Sequence, residues 1–368
     1  MQALATLAEG LVGGLAARRD EAVEGDADVE YECVHAPCND AARVDSSVEH
    51  ATLQNVPMDD FSTAINQHRR ELHVHCYRML GSFDDAEEVV QDVLLRAWTH
   101  RDSYEHGTNL RAWLYRIATN ACLDQLRQRS RRLEQVRSFA EVPWLQPYPD
   151  RLLDQVAPSA DEPEAVVVGR ETIELAFIAA MQLLPAQQRA VLVMREAIGW
   201  SAAETAAILE TTVPAVNSAL QRARATLQRE RPTPESGAPR TALTADERDL
   251  LHRYIALSER PDTDRMAALV RDDIRVTMPP QPVCYDGWAA LAPLHVAAAR
   301  HGDWRLLPTT ANRMPAAACY LRPPGETTFA AFKLDVLRIE GGLIAEVTTF
   351  GPELFPAFDL PAALPGAP

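Results

Sequence analysis

Lysine is almost absent from the chain: Lys333 is the one lysine among 36 basic residues. A high-GC coding sequence explains that bias more simply than a demand for guanidinium, so no function is drawn from it. Cysteine is sparse and scattered. Cys33, Cys38, Cys76, Cys122, Cys284 and Cys319 include no CxxC pair, which excludes a disulfide framework or a zinc site and leaves reduced, cytosolic thiols. No apolar run approaches the roughly 18 to 20 residues of a spanning helix. No basic region precedes an apolar one at the N-terminus, where the first arginines are Arg18 and Arg19, and this argues against a secretory signal. The expectation is a cytoplasmic protein without metal or cofactor, and with 368 residues there is room for two or three domains.

The net charge of -16 argues at first sight against a nucleic-acid binder, because phosphate affinity comes from basic side chains. The distribution matters more than the sum. Residues 1–60 carry 3 arginines against 13 acids, whereas residues 111–137 carry seven arginines against Asp124 and Glu134. The second segment is a local basic footprint.

Composition and periodicity divide the chain. Residues 1–57 mix alanine, glycine and acids without period and read as a disordered acidic extension. Residues 58–137 are helical in pattern; 138–169, with Pro143, Pro147, Pro149, Pro158 and Pro163, read as an extended linker. A second helical block is expected over 170–231, and 232–243 is a second proline-containing linker. From 244 to 350 helices give way to period-two stretches, an α+β pattern. Phe332, Leu334 and Val336 alternate with Lys333, Asp335 and Leu337, then turn at Glu340-Gly341-Gly342 as a hairpin does. The tail 351–368, broken by prolines, should be extended, and docking across another domain is one role for it.

Three segments carry chemistry. DDAEEVVQDVLLRAW over 84–98 places Val89, Val90, Val93, Leu94, Ala97 and Trp98 on one helical stripe, with Asp85 and Glu88 as a capping-box pair. NLRAWLYRIATNACLDQLRQRSRR over 109–132 sets Trp113, Tyr115, Asn120 and Asp124 among arginines, while Leu114, Ile117, Ala118, Ala121 and Leu126 form a buried face. Aromatics and amides among cations suit unstacked bases, although one of the two aromatics can belong to the core. In 201–227, Ser201 and Glu204 form a capping box, and Thr212 caps a second helix with Pro214 in its first turn. Helix, short turn, helix is a DNA-reading arrangement. Ala215, Asn217, Ser218 and Gln221 would face base edges, and Arg222 or Arg224 phosphates. A plain helical hairpin is the alternative.

The order of these segments resembles the extracytoplasmic-function sigma factors of bacterial RNA polymerase, over about 61–137 and 172–230. DDAEEVVQDVLLRAW is similar to their polymerase-binding helix, and WLYRIATNACLDQLR to the helix that opens the minus-ten element. LLPAQQRAVLVMREAIGWSAAETAAIL with VNSALQRAR is similar to their minus-thirty-five module. The resemblance implies Gln91, Asp92, Leu95 and Trp98 for core polymerase, and Asn120, Asp124 and Arg127 for the melted strand of promoter DNA. The chain departs from the pattern at Asn217 and Ala219, where the family often has basic residues, and at Glu210, where glycine commonly sits.

Residues 244–350 resemble the SnoaL-like, NTF2-like cone, an α+β fold enclosing a pocket. The implied architecture is two all-α domains, the second with a helix-turn-helix, followed by this cone, which in a subgroup of these factors modulates activity. A small-molecule ligand in the pocket is a candidate partner. Tyr254, Tyr285, His295, Asp335 and Glu346 are inspected because related cones use such groups, with surface or edge positions expected for most. Enzymatic activity is not expected. The alternatives are a ligand-responsive helix-turn-helix regulator acting without polymerase, and a cyclase- or isomerase-type enzyme fused to a DNA-binding module.

Overall fold

The computed structural model describes residues 58–104, 109–130, 142–154, 173–230 and 242–366. Met1–Phe61 and Ser62–Pro368 are separate units; of the first, the described part is the opening of helix α1 (Met58–Gln67). The acidic extension 1–57, the arginines beyond residue 130, and the larger part of both linkers lie outside the described residues.

The first helical block is built from α2 (Arg69–Leu80), α3 (Phe83–Thr99) and α4 (Leu110–Ser130). Leu72, Cys76, Tyr77, Met79 and Leu80 of α2 meet Val89, Val90, Val93 and Ala97 of α3 and Leu114, Ala118, Ala121 and Leu126 of α4 in a buried core. Helix α2 ends at Gly81, whose φ of 72° permits its amide to close on Tyr77 O at 2.7 Å. The cap of α3 is Ser82, not the expected Asp85–Glu88 pair: Ser82 is extended and its Oγ accepts from Asp85 N at 3.2 Å. The Gly81 turn delivers the chain to Ser82 in β geometry, so the helix starts earlier than its acids suggest.

The second block holds α5 (Leu175–Gln182), α6 (Ala186–Leu192), a π-helical turn Val193–Ala197, α7 (Ala202–Ile208) and α8 (Val213–Glu230). Between the blocks, Val142–Asp154 avoids continuous helix, as its prolines require, but it is no free tether. Tyr148 is 2% exposed, and Gln146 caps α3 by accepting from Asp84 N and Ser82 Oγ, both at 2.9 Å.

The third part begins with α9 (Ala245–Glu259), capped by a Thr244–Glu247 box, and α10 (Thr263–Ala267). These pack on a curved sheet of β1 (Val270–Met278), β2 (Gln281–Asp286), β3 (Asp303–Ala311), β4 (Met314–Arg322), β5 (Thr328–Glu340) and β6 (Leu343–Phe350), in the order β2-β1-β6-β5-β4-β3, with α11 (Trp288–Ala298) inserted after β2. The β5–β6 hairpin turns where expected: Glu340 pairs with Leu343, and Gly341 and Gly342 take φ of 58° and 78°. The tail differs from the expected extended chain. Pro352–Phe358 forms a 3-10 helix burying Leu354, Phe355 and Phe358, and β7 (Ala363–Pro365) pairs with β5. Proline in the first turn of a helix costs no hydrogen bond, so Pro352 starts this element rather than preventing it.

Candidate functional site

Helix α3 buries its valine stripe and turns Gln91, Asp92 and Leu95 outward. Leu95 is 63% exposed, the most exposed large apolar side chain among the described residues. Asp92 pairs with Arg96 at 2.7 Å, and Trp98 is half-buried with the Arg101 guanidinium 5.0 Å from its ring centre. These residues, at 91, 92, 95 and 98, share about two turns of accessible surface.

On α4, Asn120, Asp124 and Arg127 recur along one exposed face, with Arg127 and Asp124 paired at 2.5 Å. The aromatics part company. Trp113 is half-buried beside Tyr104, whereas Tyr115 is buried edge-on to Trp200 of the second block at 4.8 Å. Tyr115 therefore belongs to the packing between blocks, where its hydroxyl donates to Glu71 at 3.1 Å. Burial alone would raise the Glu71 pKa, but the hydrogen bond from His68 and the charge of Arg111 hold it below the ordinary value.

In the helix-turn-helix, both halves of the Ser201–Glu204 capping box form, and these bonds to Ser201 lower the Glu204 pKa. Glu210 sits in the turn at φ 50°, a left-handed conformation that glycine adopts without strain. Thr212 Oγ1 accepts from Ala215 N at 3.3 Å. Val216, Ala219, Leu220, Ala223 and Leu227 bury one side of α8. Ala215, Asn217, Ser218, Gln221, Arg222 and Arg224 are exposed on it. Arg224 Nε is held by Glu196 at 2.6 Å, so its reach to a phosphate requires that pair to open.

The sequence did not reveal the node that joins the parts. The β3–β4 turn, Asn312-Arg313, has φ of 54° and 61° and projects between the helical blocks. Asn312 Nδ2 donates to Tyr77 Oη of α2 at 2.9 Å and to Ile173 O at 2.6 Å; its Oδ1 accepts from Tyr148 N at 2.7 Å, and its own amide donates to Tyr148 O at 2.9 Å. Arg313 N donates to Asp150 at 2.8 Å and Arg313 Nη1 to Asp154 at 2.5 Å. The tail adds to this seam, with Ala357 O accepting from Arg151 at 2.7 Å. One asparagine thus binds the first block, the inter-block segment and the entry to the second block.

The blocks also meet directly. Arg189 of α6 is buried and donates to Met79 O at 2.5 Å, Gln182 Oε1 at 2.6 Å, Gln182 O at 2.9 Å and Leu184 O at 3.1 Å. Burial pushes its pKa down to about 9. The negative ends of α2 and α5 solvate this cation in place of water.

In the third part, the expectation of surface positions fails for three residues. Tyr254, Asp335 and Glu346 are buried. Asp335 faces the interior of the curve and Glu346 the opposite side, where Arg338 meets it at 2.9 Å. Tyr285 and His295 are half-buried. Among the described residues no group of His, Cys, Asp and Glu could hold a metal, and no helix is long and apolar enough to cross a membrane.

Comparison with known proteins places the two helical blocks. Sigma-70 region 2 matches residues 64–132, and Sigma-70, region 4 matches residues 174–227. The ECF RNA polymerase sigma factor SigG of Mycobacterium tuberculosis is 40% identical over 324 residues, spanning 83% of this chain and 85% of that protein. SigW of Bacillus subtilis, another ECF RNA polymerase sigma factor, is 29% identical over 174 residues, 47% of this chain and 89% of its own. Among solved structures, the Mycobacterium tuberculosis extracytoplasmic function sigma factor SigJ shares the fold with a TM-score of 0.55 at 18% identity, over 83% of this chain and 99% of that one.

Proposed function

The chain belongs to the extracytoplasmic-function RNA polymerase sigma factors, and we propose that its exposed faces divide the work of initiation while the C-terminal cone governs when they act together. Gln91, Asp92, Leu95 and Trp98 dock α3 on core polymerase, the leucine supplying apolar area and the flanking polar groups the orientation. Asn120, Asp124 and Arg127 take bases of the melted strand, and the arginines near them supply salt-sensitive phosphate affinity. At the upstream duplex, the first turns of α8 enter the major groove, with Ala215, Asn217, Ser218 and Gln221 at base edges and Arg222 or Arg224 at phosphates. No covalent bond is made or broken. The factor works in the cytoplasm, beside polymerase and chromosome.

The observation that carries the reading of control is the Asn312 node. The two promoter elements lie about 25 base pairs apart, roughly 85 Å of B-DNA at 3.4 Å per step. Tyr115 of the first block and Trp200 of the second have ring centres 4.8 Å apart. Blocks packed so closely cannot reach both elements at once, so the packed state must open on the way to the promoter complex. The cone opposes that opening, because its Asn312 turn bonds to both blocks and to the segment between them. Cone control is then a shift in the population of the opened, competent state.

Energy transfer between dyes carried by non-natural residues at Gln128 and Gln228, both exposed, tests this. Transfer should be high in the free factor and fall when core polymerase and promoter DNA are added. Equal transfer in both states would overturn the control reading, whereas failure to bind polymerase would overturn the assignment of α3.

A further inference from the structure

Helix α8 carries two valines three residues apart with opposite fates. Val216 is fully buried, in a row with Leu220, Ala223 and Leu227. Val213, at the first position of the helix, is 39% exposed. Asn217 and Gln221 follow it at four-residue steps, so the three side chains form one accessible strip leading from the tip of α8. The fold does not ask for a valine there. Acids stabilise the start of a helix, and α3, α7 and α9 carry Asp84 and Asp85, Glu204, and Asp246 and Glu247 in their first turns. Helix α8 carries none. A β-branched side chain left in water there gains neither burial nor helix propensity.

The chemistry of the strip says what it meets. No side chain from Val213 to Gln221 is charged, and the arginines begin at Arg222. In the major groove, arginine and lysine read guanine, and acids read the amino group of cytosine. Asparagine and glutamine bond in pairs to adenine, and apolar side chains pack on the thymine methyl group. The strip therefore holds readers of A·T pairs: two amides for adenine and one isopropyl group for thymine. A recognition helix reaches base edges with its N-terminal residues, which places Val213 beside Asn217 at the bases. The match to Sigma-70, region 4 over residues 174–227 spans the whole strip.

We propose that Val213 is a specificity-determining residue of the upstream module, its isopropyl group packing on the 5-methyl group of a thymine in the duplex element. This rests on the reading that α8 enters the major groove, and it adds the base and the atom that are read. The contact covers apolar area on both partners and involves no proton or charge, so what is selected is the methyl group itself. Uracil and cytosine lack it.

Core polymerase reconstituted with the full-length factor would be offered promoter duplexes randomised over the upstream element, and the bound fraction sequenced. Each thymine of the selected element would then be replaced by uracil, which removes the methyl group and leaves base pairing intact. The expected result is an enriched A·T pair at which uracil weakens binding about fourfold, the equivalent of about 0.8 kcal/mol for one buried methyl group. Val213→Ala should bind the thymine duplex about as weakly as the unsubstituted factor binds the uracil duplex, and should no longer distinguish the two. A valine that served only to fold α8 would leave the uracil effect unchanged in Val213→Ala, and that outcome overturns the proposal. The uracil series on the unsubstituted factor needs no variant, so it still decides if Val213→Ala fails to fold. Uracil tolerated at every selected position overturns the reading of Val213 and leaves α8 in the groove. No enrichment at any upstream position overturns the placement of α8, and the proposal with it.

Discussion

Replacing Asn312 by alanine removes three hydrogen bonds from a buried seam while leaving the backbone bond to Tyr148 O in place. The Tyr148 amide and the Ile173 carbonyl lose their Asn312 partner, and the Tyr77 hydroxyl loses a donor while keeping its own bond to Gln146 O at 2.8 Å, all on residues no more than 2% exposed. At about 1 kcal/mol net for each bond the loss is about 3 kcal/mol. Alanine at a φ of 54° adds about 1 kcal/mol, since a side chain with Cβ is strained there. Asn312→Gly separates the two effects, because glycine loses the bonds but tolerates the backbone. A loss of about 3 kcal/mol shifts a closed-to-open equilibrium by about a hundredfold. The Tyr148 amide reports that bond directly, since its neighbours Pro147 and Pro149 have no amide hydrogen. In hydrogen exchange it should open about a hundredfold faster in Asn312→Ala, while the amides of Ala316–Cys319 in β4 keep their protection. Initiation by core polymerase at limiting factor should rise in parallel. Unchanged exchange at Tyr148, or equal loss of protection through β4, would refute the reasoning.

Other substitutions separate fold from contact. Glu210→Gly relieves the left-handed strain in the helix-turn-helix and should stabilise the protein by up to about 1 kcal/mol in urea unfolding, offset in part by glycine's entropy in the unfolded chain. Leu95→Asp should leave the melting temperature within about 2 °C, because the side chain is 63% exposed, yet reduce binding to core polymerase tenfold or more in a pull-down titration. Acid should destabilise the first block. Burial is the main cause that pushes His73 down to about 4 and His75 to about 3, whereas both titrate near 6.5 when unfolded. The unfolded state takes up protons first, so stability is full above pH 6.5 and falls toward pH 4 by at most about 1.4 kcal/mol per unit for each histidine. Melting temperatures between pH 7 and pH 5 check the trend, and His75→Gln should flatten it.

What could be seen in the sequence was local. The valine stripe of α3, the Ser201–Glu204 box and the Gly341-Gly342 turn each depend on residues within one or two turns of each other, and each stands in the structure. The cap of α3 lies three residues before the expected Asp85–Glu88 pair, because the turn at Gly81, which local spacing does not show, delivers Ser82 in cap geometry. The Asn312 node was out of reach for a different reason. Its partners lie 164, 235 and 139 residues away, and its own turn is Asn-Arg rather than the Asn-Gly that marks a tight hairpin. Tyr148, set between two prolines, carries the pattern of a breaker and not of a core residue.

The surface or edge positions expected for most of the inspected cone residues fail at Asp335, which is buried, and the alternation of β5 does not reveal it. In β5 the apolar Leu334 and Val336 suggest a core side, and Lys333 and Asp335 a wet one. That inference holds when one face of a sheet meets solvent. Here the tail folds back as a 3-10 helix, setting Phe355 on Tyr320 at 5.3 Å, so the apolar side is covered from without. The polar side then faces the cone interior against Tyr254, Cys319 and Thr349. A buried carboxylate stays ionised there only because four donors surround it. The proline-broken tail and the polar positions of β5 are thus two halves of one arrangement: with the outer face covered, Asp335 and its donors lie on a buried inner side of a strand that looks half-exposed.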